Sequence, residues 1–195
     1  MINTKDVIEF FDRLAPQWDA DMVKNDEIIE KILDNAAVSS GKTVLDVACG
    51  TGVMIPYYMK RGVAAVTGID ISPKMVEIAR GKFTQENVEI LCIDAEKTDP
   101  DRKYDCIVIY NAFPHFPDQE HLIKMLSGKL TEGGMLTVAH GMSREKIDAH
   151  HKGSAHHVSN GLMPADELAA IFAKYLKVCK VISDDRMYQV TGTRK

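Results

Sequence analysis

The sequence predicts an α/β fold, a mostly parallel sheet with helices on both faces, and three observations carry that prediction. Apolar, β-branched runs alternate with helical patterns along the chain. The first run ends in an acid and breaks into a glycine loop, VLDVACGTG at 44–52, the strand-to-loop turn of ligand-binding α/β sheets. The last two runs are joined only by Ser183, Asp184, Asp185 and Arg186. That is too short for a parallel crossover, so they pair as an antiparallel hairpin.

Each element has a local reason. Residues 3–37 read as helical, with Phe10, Phe11, Leu14 and Trp18 forming an apolar stripe that Pro16 is expected to break. Strand runs follow at 43–47, 65–69, 88–93, 106–110 and 135–140, with two late ones at 177–182 and 187–192. Between them lie helical patterns: 53–60 after the loop, 75–83 behind Ser72 and Pro73, 119–130, and 165–175 behind Pro164. Right-handed crossovers then cover both faces of the sheet. No internal repeat or low-complexity segment interrupts the pattern.

With 195 residues, 45% of them hydrophobic, the chain can bury one core and is expected to form a single domain, 1–195. A net charge of -4 argues against a general attraction to nucleic acid. The opening MINTKDVIEFFDRLAP carries acids early and does not read as a signal peptide. No apolar run reaches the roughly 20 residues of a membrane span. A cytoplasmic protein, monomer or homodimer, is expected. Cys92, Cys106 and Cys179 fall in strand runs and read as small buried hydrophobes, whereas Cys49 lies inside the glycine loop.

Gly50 and Gly52 let the backbone turn tightly and approach a ligand. Asp70 closes the next apolar run, VAAVTGID, where a ribose diol is gripped. Dinucleotides and S-adenosylmethionine both fit a glycine loop plus a ribose-binding acid. A pyrophosphate wants a helix N-terminus with no carboxylate beside it. Asp46, next to the loop, suits a sulfonium and an ammonium instead. Ala48 stands where the first dinucleotide glycine belongs, and Ile55 where a third would follow Gly52.

The strand-Asp-x-x-x-Gly-x-Gly pattern resembles the class I S-adenosylmethionine-dependent methyltransferases. That resemblance implies a Rossmann-like seven-stranded sheet in the order 3-2-1-4-5-7-6 with the last strand antiparallel. It also implies a cofactor site at the switch point between strands one and four. Asp46, Ala48, Gly50 and Gly52 would hold the methionine end, Asp70 the ribose, and Ile71 the adenine face. Asp94 and Ala95 would take the adenine amine and ring, and Asn111 would border both cofactor and acceptor. The segment 1–37 is similar to the N-terminal cover of small-molecule methyltransferases such as the menaquinone and ubiquinone enzymes. Its plainer reading is a helix packed on the sheet.

The stretch after strand four, NAFPHFPD at 111–118, departs from the Asn/Asp-Pro-Pro-aromatic signature of methyltransferases acting on exocyclic base amines and glutamine side chains. Those substrates are not expected. His115 in this loop and His140 at the end of strand five are expected to face an acceptor pocket. Each serves either as a base, with an ordinary pKa near 6.5, or as an ordering group for its loop. Beyond lies an insertion, 141–163, whose Ser143, Arg144, Asp148 and His151 resemble a substrate-side stretch of some family members. Gly153 and Ser154 are expected to break its helix. One reading makes His115, His140 and His151 a metal site completed by Asp148 or His150. His115, His140 and His151 are also the candidates for catalysis if they converge on the acceptor, and the remaining reading makes the segment a solvated polar lid whose histidines stay at the surface. The sequence therefore points to an S-adenosylmethionine-dependent methyltransferase with a small-molecule acceptor. A metal-assisted variant, a non-catalytic cofactor-binding subunit and, less well fitted, an NAD(P)-dependent oxidoreductase stay open.

Overall fold

A computed structural model of the chain describes residues 2–97, 101–151 and 156–195. Its sheet has seven strands in the order β3-β2-β1-β4-β5-β7-β6. The strands are β1 (Thr43–Val47), β2 (Ala65–Asp70), β3 (Val88–Cys92), β4 (Tyr104–Tyr110), β5 (Leu130–His140), β6 (Lys177–Ser183) and β7 (Tyr188–Thr193). Pairings from β3 to β5 are parallel, while β7 runs antiparallel to both β5 and β6. The order reverses at β1, so the loops after β1 and β4 leave in opposite directions and open a crevice between them.

The sheet's two faces separate by the strand pleat. Leu45 and Val47 of β1 join Ile107, Ile109, Leu136 and Val138 beneath α5 (Gln119–Ser127) and α7 (Ala165–Tyr175). Val44, Val66, Ile90, Cys106 and Val108 pack on the other face with α2 (Asp26–Asn35), α3 (Ile55–Lys60) and α4 (Pro73–Lys82). Ser72 caps α4 by accepting from the Met75 amide, and Asp118 caps α5 by accepting from the His121 amide.

Several local expectations are corrected. α1 (Thr4–Asp21) runs unbroken through Pro16. The ring removes one backbone bond at a typical cost of about 3 kcal/mol, and Asp12 and Asp19, on either side of it, are tied to the loops below. Within the segment 1–37, Ile29, Ile32 and Leu33 of α2 are fully buried in the core. Helix α5 stops at Ser127 and β5 begins at Leu130, five residues before its apolar run. Gly133, at φ 70°, lets the strand bend while β4 shifts register between Tyr104 and Cys106. Cys92 and Cys179 are exposed, since they sit on the sheet's two edge strands, and only Cys49 and Cys106 are buried. Among the described residues no helix is long and apolar enough to cross a membrane.

Candidate active site

A cavity of about 360 Å³ opens over the carboxyl ends of β1 to β4. Four loops reach it: Ala48 and Gly50 after β1, Asp70 and Ile71 at the end of β2, Asp94 and Ala95 after β3, and Asn111 after β4. Seven of the nine residues expected at a cofactor therefore share one wall, as the switch-point geometry requires. Thr4, Val7, Phe11 and Trp18 of α1 close it from above.

Backbone geometry at the loop roots is unusual. Ala48 has φ 56° and Asn111 φ 54°, left-handed conformations that cost a side-chain-bearing residue on the order of 1–2 kcal/mol. Both kinks fall where a strand must turn sharply to present its next residues to the cavity. Asn111 also accepts the Gly141 amide at 3.0 Å, which ties the ends of β4 and β5 together.

Asp70 organises the crevice before any ligand enters. One carboxylate oxygen accepts the Gly50 amide at 2.8 Å and the other the Ser72 amide at 2.8 Å. Asp70 also lines the cavity. Burial raises its pKa, the amides of Ser72, Gly50 and Ile71 pull it back, and the charge of Asp12 adds to the rise.

Asp46 and Gly52 do not line the cavity. Asp46 is 1% exposed beneath the glycine loop, because the pleat turns it toward α3, where it meets Tyr58. Its Oδ2 and the Tyr58 hydroxyl are buried without a hydrogen-bond partner among the described residues. Burial pushes the Asp46 carboxyl up to about 8; Tyr58 draws it down in part, and the charge of Asp70 adds to the rise. Gly52 is required by packing: at φ 87°, a Cβ there would lie 2.5 Å from the Phe83 ring.

His115 lines the cavity beside Phe11 of α1. Its Nδ1 lies 2.7 Å from the Val158 carbonyl oxygen, which can only accept. The proton therefore sits on Nδ1, and Nε2 is the basic nitrogen of the neutral ring. Val158 belongs to a short 3-10 turn, His156–Val158, which packs with Val7 and Phe10 of α1. Phe11 meets the His115 ring edge-on at 5.0 Å. Asn160 secures the same loop, its amide N–H donating to Pro114 O at 2.9 Å and its side chain to Phe116 O at 3.0 Å. These partners come from the insertion, and nothing in the local pattern of either segment announced them.

His140 is a correction. It is 1% exposed, is not among the cavity residues, and packs against the Tyr188 ring at 5.9 Å. The pleat puts the last residue of β5 on the sheet face covered by α5 and α7, beside its cross-strand partner Tyr188, and not in the crevice. Asp148 accepts the Leu162 amide at 2.9 Å and lies 3.8 Å from Arg144, so it serves to fold the insertion. The side chains of His150 and His151 lie outside the described residues, as do Gly153 and Ser154. Among the described residues no three His, Cys, Asp or Glu side chains gather to hold a metal.

The charges bordering the cavity test the cofactor. Asp70, Asp94 and Asp118 line it against one lysine, Lys24, and no basic side chain lies on the glycine loop. That suits a cation and disfavours a pyrophosphate. Together with the sheet order and the loop, this is the arrangement seen in class I S-adenosylmethionine-dependent methyltransferases. Residues 44–134 match the family described as Methyltransferase domain. The chain is 33% identical over 139 residues to a malonyl-(acyl-carrier protein) O-methyltransferase of Acetivibrio thermocellus, covering 70% of this chain and 49% of that protein. It is 29% identical over 143 residues to a ubiquinone biosynthesis O-methyltransferase of Coxiella burnetii, covering 69% and 61%. The chain thus spans about half to three-fifths of these relatives' length. In fold it is similar to the N-methyltransferase NodS of Bradyrhizobium japonicum in complex with S-adenosyl-L-homocysteine, with TM-score 0.74, 14% identity, and 96% and 97% of the two chains covered.

Proposed function

We propose that this chain is an S-adenosylmethionine-dependent methyltransferase whose acceptor is a small molecule held between α1 and the loop 112–117, with His115 as the base. The observation that carries the reading is the His115 tautomer: the Val158 carbonyl fixes the proton on Nδ1 and makes Nε2 the base. His115 shares its cavity with Ala48, Gly50, Asp70 and Asp94.

When bound, S-adenosylmethionine supplies a methyl group on a sulfonium, transferred by in-line displacement. The glycine loop and Asn111 border the methionine end, Asp70 receives the ribose hydroxyls, and Ile71, Asp94 and Ala95 border the adenine. Asp46 acts from beneath the loop. Because positive charge is lost on the donor during transfer, the chain must align the partners and exclude water. Phe11, Trp18, Val7 and Phe116 supply the dry wall. His115 Nε2 takes the proton of an acceptor that arrives protonated at neutral pH. The apolar enclosure under α1 favours a small, largely apolar acceptor bearing one ionisable group over a protein side chain.

The test is methyl transfer from labelled S-adenosylmethionine into a pool of small hydroxylated, thiol and amine metabolites. His115→Ala should lower turnover at least about 100-fold, the lower range for a lost general base, with calorimetric affinity for S-adenosylmethionine unchanged. Undiminished turnover in His115→Ala excludes the base. Activity lost to a chelator and restored by added metal would favour the metal-assisted chemistry instead.

A further inference from the structure

We propose that Asp12 and Asp19 of α1 are positioning residues that fix this helix on the two loops gripping the cofactor. The proposal rests on the methyltransferase reading above. Asp19 Oδ1 accepts from the Thr51 hydroxyl at 2.6 Å and Oδ2 from Lys82 Nζ at 2.7 Å. Thr51 is 1% exposed and follows Gly50 in the glycine loop. Asp12 Oδ1 accepts from the Ser72 hydroxyl at 2.5 Å and the Lys74 amide at 3.2 Å. Ser72 is the cap of α4, and its amide is already bound to Asp70.

Asp12 and Asp19 are seven residues apart, two turns on one helix face, so a single face spans both loops. Neither residue lines the cavity; both act through the loops they hold. The neighbouring positions Phe11 and Trp18 do line it. The Trp18 indole nitrogen would lie 3.9 Å from a Cβ placed on Gly50. The two carboxylates therefore set where the aromatic roof stands over the methionine end and over His115. The apolar contacts of Val7 and Phe10 with Val158 anchor only the first half of α1. The second half, beyond Pro16, depends on Asp19.

Calorimetry with S-adenosylmethionine and hydrogen exchange over residues 4–21 test this on the full chain. Asp19→Ala should weaken the cofactor about tenfold, as expected for one charge-assisted hydrogen bond, and speed exchange in the second half of α1. Asp19→Asn keeps an oxygen for the Thr51 hydroxyl while losing the charge facing Lys82, and should stay within about twofold of the parent. Asp12→Ala should act in the same direction as Asp19→Ala. Parent-like affinity and exchange in Asp19→Ala would overturn the proposal. So would an Asp19→Asn protein as impaired as Asp19→Ala, since the Lys82 ion pair would then carry the effect. If the parent protein fails to bind S-adenosylmethionine, the cofactor reading falls, and the ligand-free exchange comparison still decides whether Asp19 holds the helix.

Discussion

Replacing Asp46 by Asn should stabilise this protein, and the gain should depend on pH. The carboxyl is buried under the glycine loop, with Oδ2 lacking a hydrogen-bond partner among the described residues. Its folded-state pKa is about 8, against 3.8 in the unfolded chain. Below pH 3.8 both states hold the proton, and above about 8 neither does. Between those values only the folded state holds it, so raising the pH removes stability throughout that window. At about 1.4 kcal/mol per pH unit, the span amounts to on the order of 5 kcal/mol by pH 8. The Asn amide must be desolvated in turn, at roughly 1–3 kcal/mol. A net gain of about 2–4 kcal/mol is expected near pH 8, giving way to a net loss of roughly 1–3 kcal/mol near pH 4, where only the Asn desolvation remains. Urea unfolding of both proteins at about pH 5, 6.5 and 8 measures the difference directly. Other groups titrate too: Asp184, held low by the amides of Arg186 and Met187, loses its contribution as pH falls. Such terms are common to both proteins and cancel. A difference that stays flat with pH, or an Asp46→Asn protein less stable than the parent near pH 8, would refute the reasoning.

Two further substitutions probe the glycine loop and the β2 carboxylate that holds it. Gly52→Ala should cost about 2–4 kcal/mol in urea unfolding, combining left-handed strain with overpacking, because its Cβ would lie 2.5 Å from Phe83 and 3.0 Å from Ile55; an unchanged midpoint would dismiss the packing account. Asp70→Ala should weaken S-adenosylmethionine by about 2–3 kcal/mol, roughly 30- to 150-fold by calorimetry. Retained affinity in a folded variant, or tighter binding of NAD(H), would overturn the cofactor assignment.

The sheet was legible because its signals are local. Alternating apolar runs, the Ser72 cap and the four-residue link before β7 each fix an element from its own residues. The expected positions that line the cavity were legible for a similar reason, since each lies at a strand's end or within three residues of it. What escaped depends on contacts distant in sequence. The continuity of α1 through Pro16 rests on partners at Thr51 and Ser72, and the burial of His140 depends on its pairing with Tyr188. Asp46 illustrates a subtler gap: the loop motif singles it out, yet only the pleat decides that it lies under the loop and not on the cavity wall. The start of β5 was hidden because Thr131, Glu132, Gly133 and Gly134 read as a turn, while the register shift in β4 absorbs them into the strand.

The loop bearing His115 forms a short 3-10 turn, but its outward groups are held from elsewhere in the chain. The carbonyls of Pro114 and Phe116 and the His115 ring are met by Val158 and Asn160, residues 43 to 46 positions downstream. The cavity wall formed by Ala48, Gly50, Asp70 and Asp94, by contrast, is organised around β1, β2 and β3. The two sides of the cavity are thus written on separately mutable pieces of chain. A lineage can exchange the piece after β5 and reshape the loop that carries His115 while inheriting the opposite wall intact.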